Sequence, residues 1–156
     1  MNRRSICLSL MALTILSVVG ASKAAAQGVQ LFAVLNGRNE VSPTTGQLGA
    51  GDPNGYGAAA VISVTANRLC FVIAVHDIDR PIAAHIHEAP AGKNGPIRVP
   101  LTPPTSGNPG TSTGCVTVDP GLLTRIRNTP KQFYVNVHTR AFPAGAIRGQ
   151  LSKLAL

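Results

Sequence analysis

Two histidines one residue apart, His85 and His87, lie in the segment Ala84-His85-Ile86-His87-Glu88, which is bounded by Pro81 and Pro90. In a strand, residues i and i+2 project to the same face, so the pleat aims both imidazoles at one point. A third histidine, His138, stands in a run where Phe133, Val135 and Val137 alternate with Tyr134, Asn136 and His138. If the two strands are neighbours or face one another, three ring nitrogens converge. Three nitrogen ligands with an open fourth position suit copper or zinc. The same rings also fit a hydrogen-bonded polar cluster that holds no ion, and spacing alone leaves both readings open.

Asn136, Arg148 and Glu40 are the candidate ligand or anion contacts around that cluster. Asn136 shares the face of His138. Arg148 follows the turn Phe142-Pro143-Ala144-Gly145, and a hairpin over residues 134–150 sets its guanidinium near His138. There it suits a small anion or a carboxylate. The alternative is a surface arginine paired with Glu88 or Glu40. His76 ends a strand just before Asp77 and reads as a strand-end polar residue. Lys93-Asn94-Gly95, directly after the histidines, is a turn able to close over a ligand.

Other chemistries find little support. There is no G-x-S-x-G and no P-loop. Carboxylates are few, and none form a pair suited to glycoside hydrolysis. These absences and the incomplete catalytic set favour a binding module over an enzyme.

The elements that must position the histidines are short strands punctuated by glycine and proline. Strands are expected over residues 28–35, 56–65, 68–76, 82–88, 96–101, 114–118, 131–139 and 146–154. Residues 39–54 form a long loop with Pro43, Gly46, Gly49, Gly51 and Pro53. Ala66-Asn67 is expected as a tight two-residue hairpin turn. The run Leu69 to Val75 is apolar on both sides, which predicts a central strand covered on both faces, or on one face with a sheet-edge contact. Asp119-Pro120 marks an N-cap with proline at N1, opening one short helix over residues 121–128. About eight strands with one short helix predict an all-β, antiparallel β-sandwich, with a barrel as the alternative.

Residues 1–26 read as a secretory signal peptide. Arg3 and Arg4 give a positive start, Ile6 to Gly20 is an apolar core, and Ala24-Ala25-Ala26 precedes Gln27. That leaves one domain, residues 27–156, with 11 basic and six acidic side chains and a net charge of +5, against +8 for the whole chain. Removal of residues 1–26 takes Cys7, and Cys70 and Cys115 remain. In an oxidising compartment the two are expected to form a disulfide closing a loop of some 45 residues. The expected location is periplasmic or extracellular. The basic residues are scattered without aromatic interleaving, so nucleic acid is not an expected partner. No transmembrane segment is expected in residues 27–156. The expected partner is an unspecified ligand of the cell envelope or the extracellular space.

The residues around the histidines also carry a resemblance. Ala84-His85-Ile86-His87-Glu88-Ala89-Pro90-Ala91-Gly92, then Asn94-Gly95-Pro96 and Val99-Pro100-Leu101, resemble the central motif of the CHRD (chordin-type) domain. Phe133 to Thr139 and Pro143 to Leu151 resemble its C-terminal motif. Leu35-Asn36-Gly37 with Glu40-Val41 resembles its opening. The likeness spans roughly residues 29–152. It implies an immunoglobulin-like sandwich distantly similar to Cu/Zn superoxide dismutase, an exported module, and no established activity. The dismutase likeness sets His85-Ile86-His87-Glu88 beside a copper-ligand strand, His138 in the place of a later copper histidine, and Arg148 in that of an anion-guiding arginine. The departure is the zinc subsite: residues 89–111 contain no histidine. A copper-dependent, dismutase-like redox enzyme is therefore the alternative to the binding module.

Overall fold

The computed structural model describes residues 28–153. The segment read as a signal peptide, residues 1–26, lies outside the described residues. Nine strands form one continuous antiparallel sheet among the described residues: β1 Gln30–Asn36, β2 Tyr56–Ser63, β3 Arg68–His76, β4 Pro81–Glu88, β5 Ile97–Leu101, β6 Gly110–Thr117, β7 Phe133–Thr139, β8 Ile147–Gln150 and β9 Ser152–Lys153. Their order across the sheet is β5-β4-β7-β8-β1-β2-β3-β6, with β9 paired to β1.

Period-two alternation drives this arrangement. Leu31, Ala33 and Leu35 of β1, Leu69, Phe71, Ile73 and Val75 of β3, Ala84 and Ile86 of β4, and Phe133, Val135 and Val137 of β7 all point inward. They bury one apolar cluster that neither half of the sheet could cover alone. The sheet therefore bends at the β8–β1 seam, where Asn36 pairs with Arg148, and wraps the core in two layers. Its two edges, β5 and β6, come close again. The Ser112 hydroxyl donates to the Thr102 carbonyl at 2.8 Å, and residues 98–100 and 116–119 line one cleft. The predicted antiparallel all-β class is what is found. Sandwich and barrel meet in one nearly closed sheet.

The helix α1, Pro120–Asn128, begins as expected. Asp119 is its N-cap, its carboxylate accepting from the Leu122 amide, and Pro120 supplies the pre-set φ at N1. Leu123 and Ile126 bury its apolar side beside the open edges. Cys70 and Cys115 face each other across the β3–β6 ladder and are joined by a disulfide. Among the described residues no helix is long and apolar enough to cross a membrane.

Two local expectations are corrected. The β2–β3 connection is not a two-residue turn at Ala66-Asn67. β2 ends at Ser63, and residues 64–67 make a wider loop in which the Val64 amide donates to the Arg68 carbonyl. A tight primed turn needs positive φ at its central residues, and this loop has no glycine to supply it. The last strand is two: β8 and β9 part at Leu151, whose side chain turns fully into the core. β3 meets the second of its two expectations: it lies beside the edge strand β6, with one face in the core and Val72 of the other face 43% exposed.

Candidate metal centre

β4 lies beside β7, and β7 beside β8, so the register sets side chains in rows on the outer face of this layer. His87 is level with Tyr134 and Gln150. His85 is level with Asn136 and Arg148. Ala83 is level with His138. The strand neighbourhood that the alternation required is thus met, and the three histidines come together. Each offers one ligand nitrogen, and the three atoms lie within 4.8 Å of one another.

The ring orientations are fixed by main-chain carbonyls. His87 Nδ1 lies 2.9 Å from the Gly95 carbonyl, and His138 Nδ1 lies 3.0 Å from the Pro143 carbonyl. A carbonyl only accepts, so in each neutral ring Nδ1 carries the proton and Nε2 keeps its lone pair. His138 Nε2 lies 3.1 Å from His85 Nδ1. His87 Nε2 is buried and has no hydrogen-bond partner. Carbonyls gripping the far nitrogens of His87 and His138 are the usual outer support of metal-ligating histidines. For a tetrahedral site with metal–nitrogen bonds of ~2.0–2.1 Å, ligand nitrogens stand roughly 3.3 Å apart. The His85–His138 pair already has that spacing.

Electrostatics keeps the rings ready to ligate. Burial, and then the neighbouring His138 and His87, lower His85 to about 4. Burial lowers His87 against the opposing Gly95 carbonyl, and lowers His138 against the Pro143 carbonyl. At neutral pH all three are uncharged, the form a metal requires.

Two loops wall the site. Residues 89–96, between β4 and β5, are pinned by Arg148, which is only 2% exposed. Its guanidinium donates to the carbonyls of Lys93 (2.6 Å) and Pro90 (3.4 Å) and to Asn94 Oδ1 (3.2 Å). Asn94 Nδ2 in turn donates to the Val41 carbonyl of the other loop. The guanidinium carbon lies 3.4 Å from the Tyr134 ring centroid, and His87 stacks parallel to the same ring at 4.7 Å. β8 and β4 flank β7, so Tyr134 is held between cation and imidazole. Arg148 is therefore neither the surface arginine nor a partner of Glu88, which pairs with Arg98 and Arg125 instead. The reason is the loop fold-over, which buries the arginine and supplies acceptors.

Glu40 sits in the first loop, 2% exposed. Asn136 Nδ2 donates to both its carboxylate oxygens, at 2.9 and 3.1 Å. Burial raises Glu40 to about 8, with Arg148, Asn136 and Val41 pulling the other way. Asn136 Oδ1 is buried without a partner. His76 is not in the cluster: it stacks on Tyr56 in the other layer.

The sequence reading passed over Tyr134 and the carbonyls of Gly95 and Pro143. Tyr134 stood on the histidine face in the alternation and was legible there. The carbonyls belong to the backbone and leave no residue-type signal beyond their turn motifs. A cleft of about 620 Å³ is lined by Asp79, Arg80, Pro81, Ile82 and Arg140 and includes none of the histidines. The cluster has the dimensions of an ion site.

In comparisons with known proteins, the family model described as CHRD domain matches residues 31–151. No curated protein matches the chain.

Proposed function

The chain belongs to the CHRD domain family, and on that premise we propose that it is an exported, non-catalytic binding module whose histidine cluster holds one copper or zinc ion. His85, His87 and His138 are the ligands, with the fourth position open to an external donor. One observation carries this reading: His87 Nε2 is a buried acceptor with no hydrogen-bond partner, in a cluster of three imidazoles whose ligand atoms lie within 4.8 Å of one another. A metal-free hydrogen-bonded cluster satisfies His85 and His138 through each other and leaves that nitrogen bare, at a cost of about 1–3 kcal/mol. An ion removes the cost. Imidazole donors suit both metals, and copper binds such sites more tightly than zinc. Loading needs one proton moved, from His85 Nδ1 to Nε2 or away.

Export rests on the positive, apolar and A-x-A pattern of residues 1–26 and on the Cys70–Cys115 disulfide. Protein recovered from the envelope or medium is expected to begin at Gln27.

The test is titration of metal-free protein with Cu(II) and with Zn(II), followed by calorimetry and, for copper, by electron paramagnetic resonance. One ion per chain is expected, with nitrogen hyperfine structure from imidazoles and a melting temperature raised by several degrees. His87→Ala and His138→Ala are expected to abolish it. A melting temperature unmoved by an equivalent of either metal would sink the proposal.

The copper redox reading draws support from the partial exposure of His85 and His138, which leaves the fourth position accessible. Arg148 weighs against it, since its donors serve loop carbonyls and are not turned toward an incoming anion. Superoxide dismutation by copper-loaded protein, lost in His87→Ala, would establish it.

A further inference from the structure

Apart from Arg68 at the start of β3, the outer face of the other layer is uncharged. β2 and β3 are apolar on both sides: Ala59, Val61, Leu69, Phe71, Ile73 and Val75 enter the core, while Ala58, Ala60, Ile62, Val72 and Ala74 point out. The register lays these out in rows with their neighbours. Val34, Ala58, Ala74 and Thr111 form one; Phe32, Ala60, Val72 and Thr113 the next; Gln30, Ile62, Cys70 and Cys115 a third. None of these side chains is charged; the one lysine, arginine, aspartate or glutamate of these four strands, Arg68, lies at the start of β3 beyond the Cys70 row. Val34 is 78% exposed and Val72 43%. An antiparallel sheet that faces water ordinarily alternates apolar-in with polar-out. A contiguous uncharged apolar face marks a contact surface. Among the described residues nothing covers this one.

We infer that this face packs against the same face of a second copy of the chain. The three central rows offer no charge, and the single arginine at the corner of the face, Arg68, is too little to recognise nucleic acid, acidic peptide or anionic headgroups. Two copies, each with net positive charge elsewhere, meet along these rows without repulsion between them. Relief is self-complementary: Phe32 and Val34 make a ridge on β1, beside a trough of Ala58, Ala60 and Ala74. A two-fold axis through the face lays each ridge along the other copy's trough, the isologous geometry of a C₂ dimer. Four strands at ~4.8 Å spacing and seven residues at ~3.3 Å rise give a footprint of roughly 450 Å² per copy. Two footprints, raised further by pleating, reach the roughly 1,000 Å² at which a weak specific interface begins. The dimer is therefore concentration-dependent, with a Kd of roughly 1–100 µM. The histidines lie on the opposite layer, away from this contact, so this inference does not rest on the metal.

The experiment is sedimentation velocity on residues 27–156, disulfide intact, from about 1 to 300 µM. Wild type is expected to shift from monomer to dimer across that range. Val72→Lys and Ala60→Glu, each projecting from the outer face, are expected to stay monomeric with unchanged circular dichroism and at least tenfold weaker association. If either charge disturbs folding, Val34→Ser combined with Val72→Thr keeps strand-compatible side chains and is expected to give the same loss. Wild type monomeric at 300 µM overturns the inference. So does a dimer that survives every folded variant, because another surface then makes it. Monomeric wild type that binds neutral phosphatidylcholine vesicles through Val72 also overturns it, the face then being a lipid contact.

Discussion

Each polar side chain in the histidine layer answers one question: where its donors and acceptors go once two loops have shut water out. For Glu40 the answer has a pH dependence. Its carboxyl is raised to about 8, first by burial, whereas in the unfolded chain it titrates near 4.5. The folded state therefore holds a proton that the unfolded state releases between these values. The resulting stability is fully present below pH 4.5 and is lost as pH rises through about 8. Glu40→Gln keeps an acceptor for Asn136 Nδ2 and adds a donor that can reach the bare Asn136 Oδ1, without a charge to bury. The variant is expected to melt several degrees above wild type at pH 8.5–9 and within about 2 °C of it at pH 5, corresponding to a difference on the order of 1–3 kcal/mol. Equal differences at both values would show that Glu40 does not titrate in this window. The histidines run the other way. All three are lowered, His85 to about 4, so each holds its proton less readily than an ordinary histidine near 6.5. Bound copper or zinc is expected to persist at pH 6.5, read by metal content after desalting at stepped pH; release already at that value would contradict the lowered values.

At the scale of the element, the β4–β5 loop does most to turn three rings into a site, and Arg148 holds it. A lysine at that position carries the charge but cannot fork to the Lys93 and Pro90 carbonyls and Asn94 Oδ1 while lying flat on Tyr134. Arg148→Lys is expected to cost about 2–3 kcal/mol, to speed amide hydrogen exchange across residues 91–95, and to weaken metal binding roughly tenfold by loosening the Gly95 carbonyl from His87. Protection unchanged in that loop would place its anchor elsewhere. This is also where reading from sequence stops. His85, His87, Asn136 and His138 were legible because a strand's face follows from a period of two, and the helix because Asp119-Pro120 announces it. Arg148 was assigned correctly to the strand after His138, yet its burial depends on two loops folding over it, and loops carry no period. The 64–67 connection was misread for a related reason. Hairpin spacing is visible in a sequence, but turn type depends on which residues adopt positive φ.

For the molecule as a whole, the seam between β1 and β8 decides whether there is one sheet or two. Strand alternation showed which residues face inward, and it predicted two layers. It could not show that they run into one another, because that depends on two strands far apart in the chain lying close enough to pair. Gly149 is the residue that permits it. A Cβ there would lie 2.3 Å from the Val34 carbonyl oxygen, 2.7 Å from the carbonyl carbon and 2.9 Å from Leu35 Cδ2. Two of these are backbone atoms of the adjoining strand, so no rotamer change relieves the clash, and β1 must move away from β8. The neighbouring pair Asn36 and Arg148 would move with it, and Arg148 carries the loop that walls the histidines. Gly149→Ala is therefore expected to lower the melting temperature by 10 °C or more, equivalent to roughly 3 kcal/mol or above, and to weaken metal binding at a distance. Gly92→Ala is the control. It has positive φ but open space around it, so only backbone strain is added, about 1 kcal/mol, and metal binding is expected to hold. If the two variants melt alike, close approach at the seam is not what joins the layers, and the sheet's continuity must rest on the β9 pairing instead.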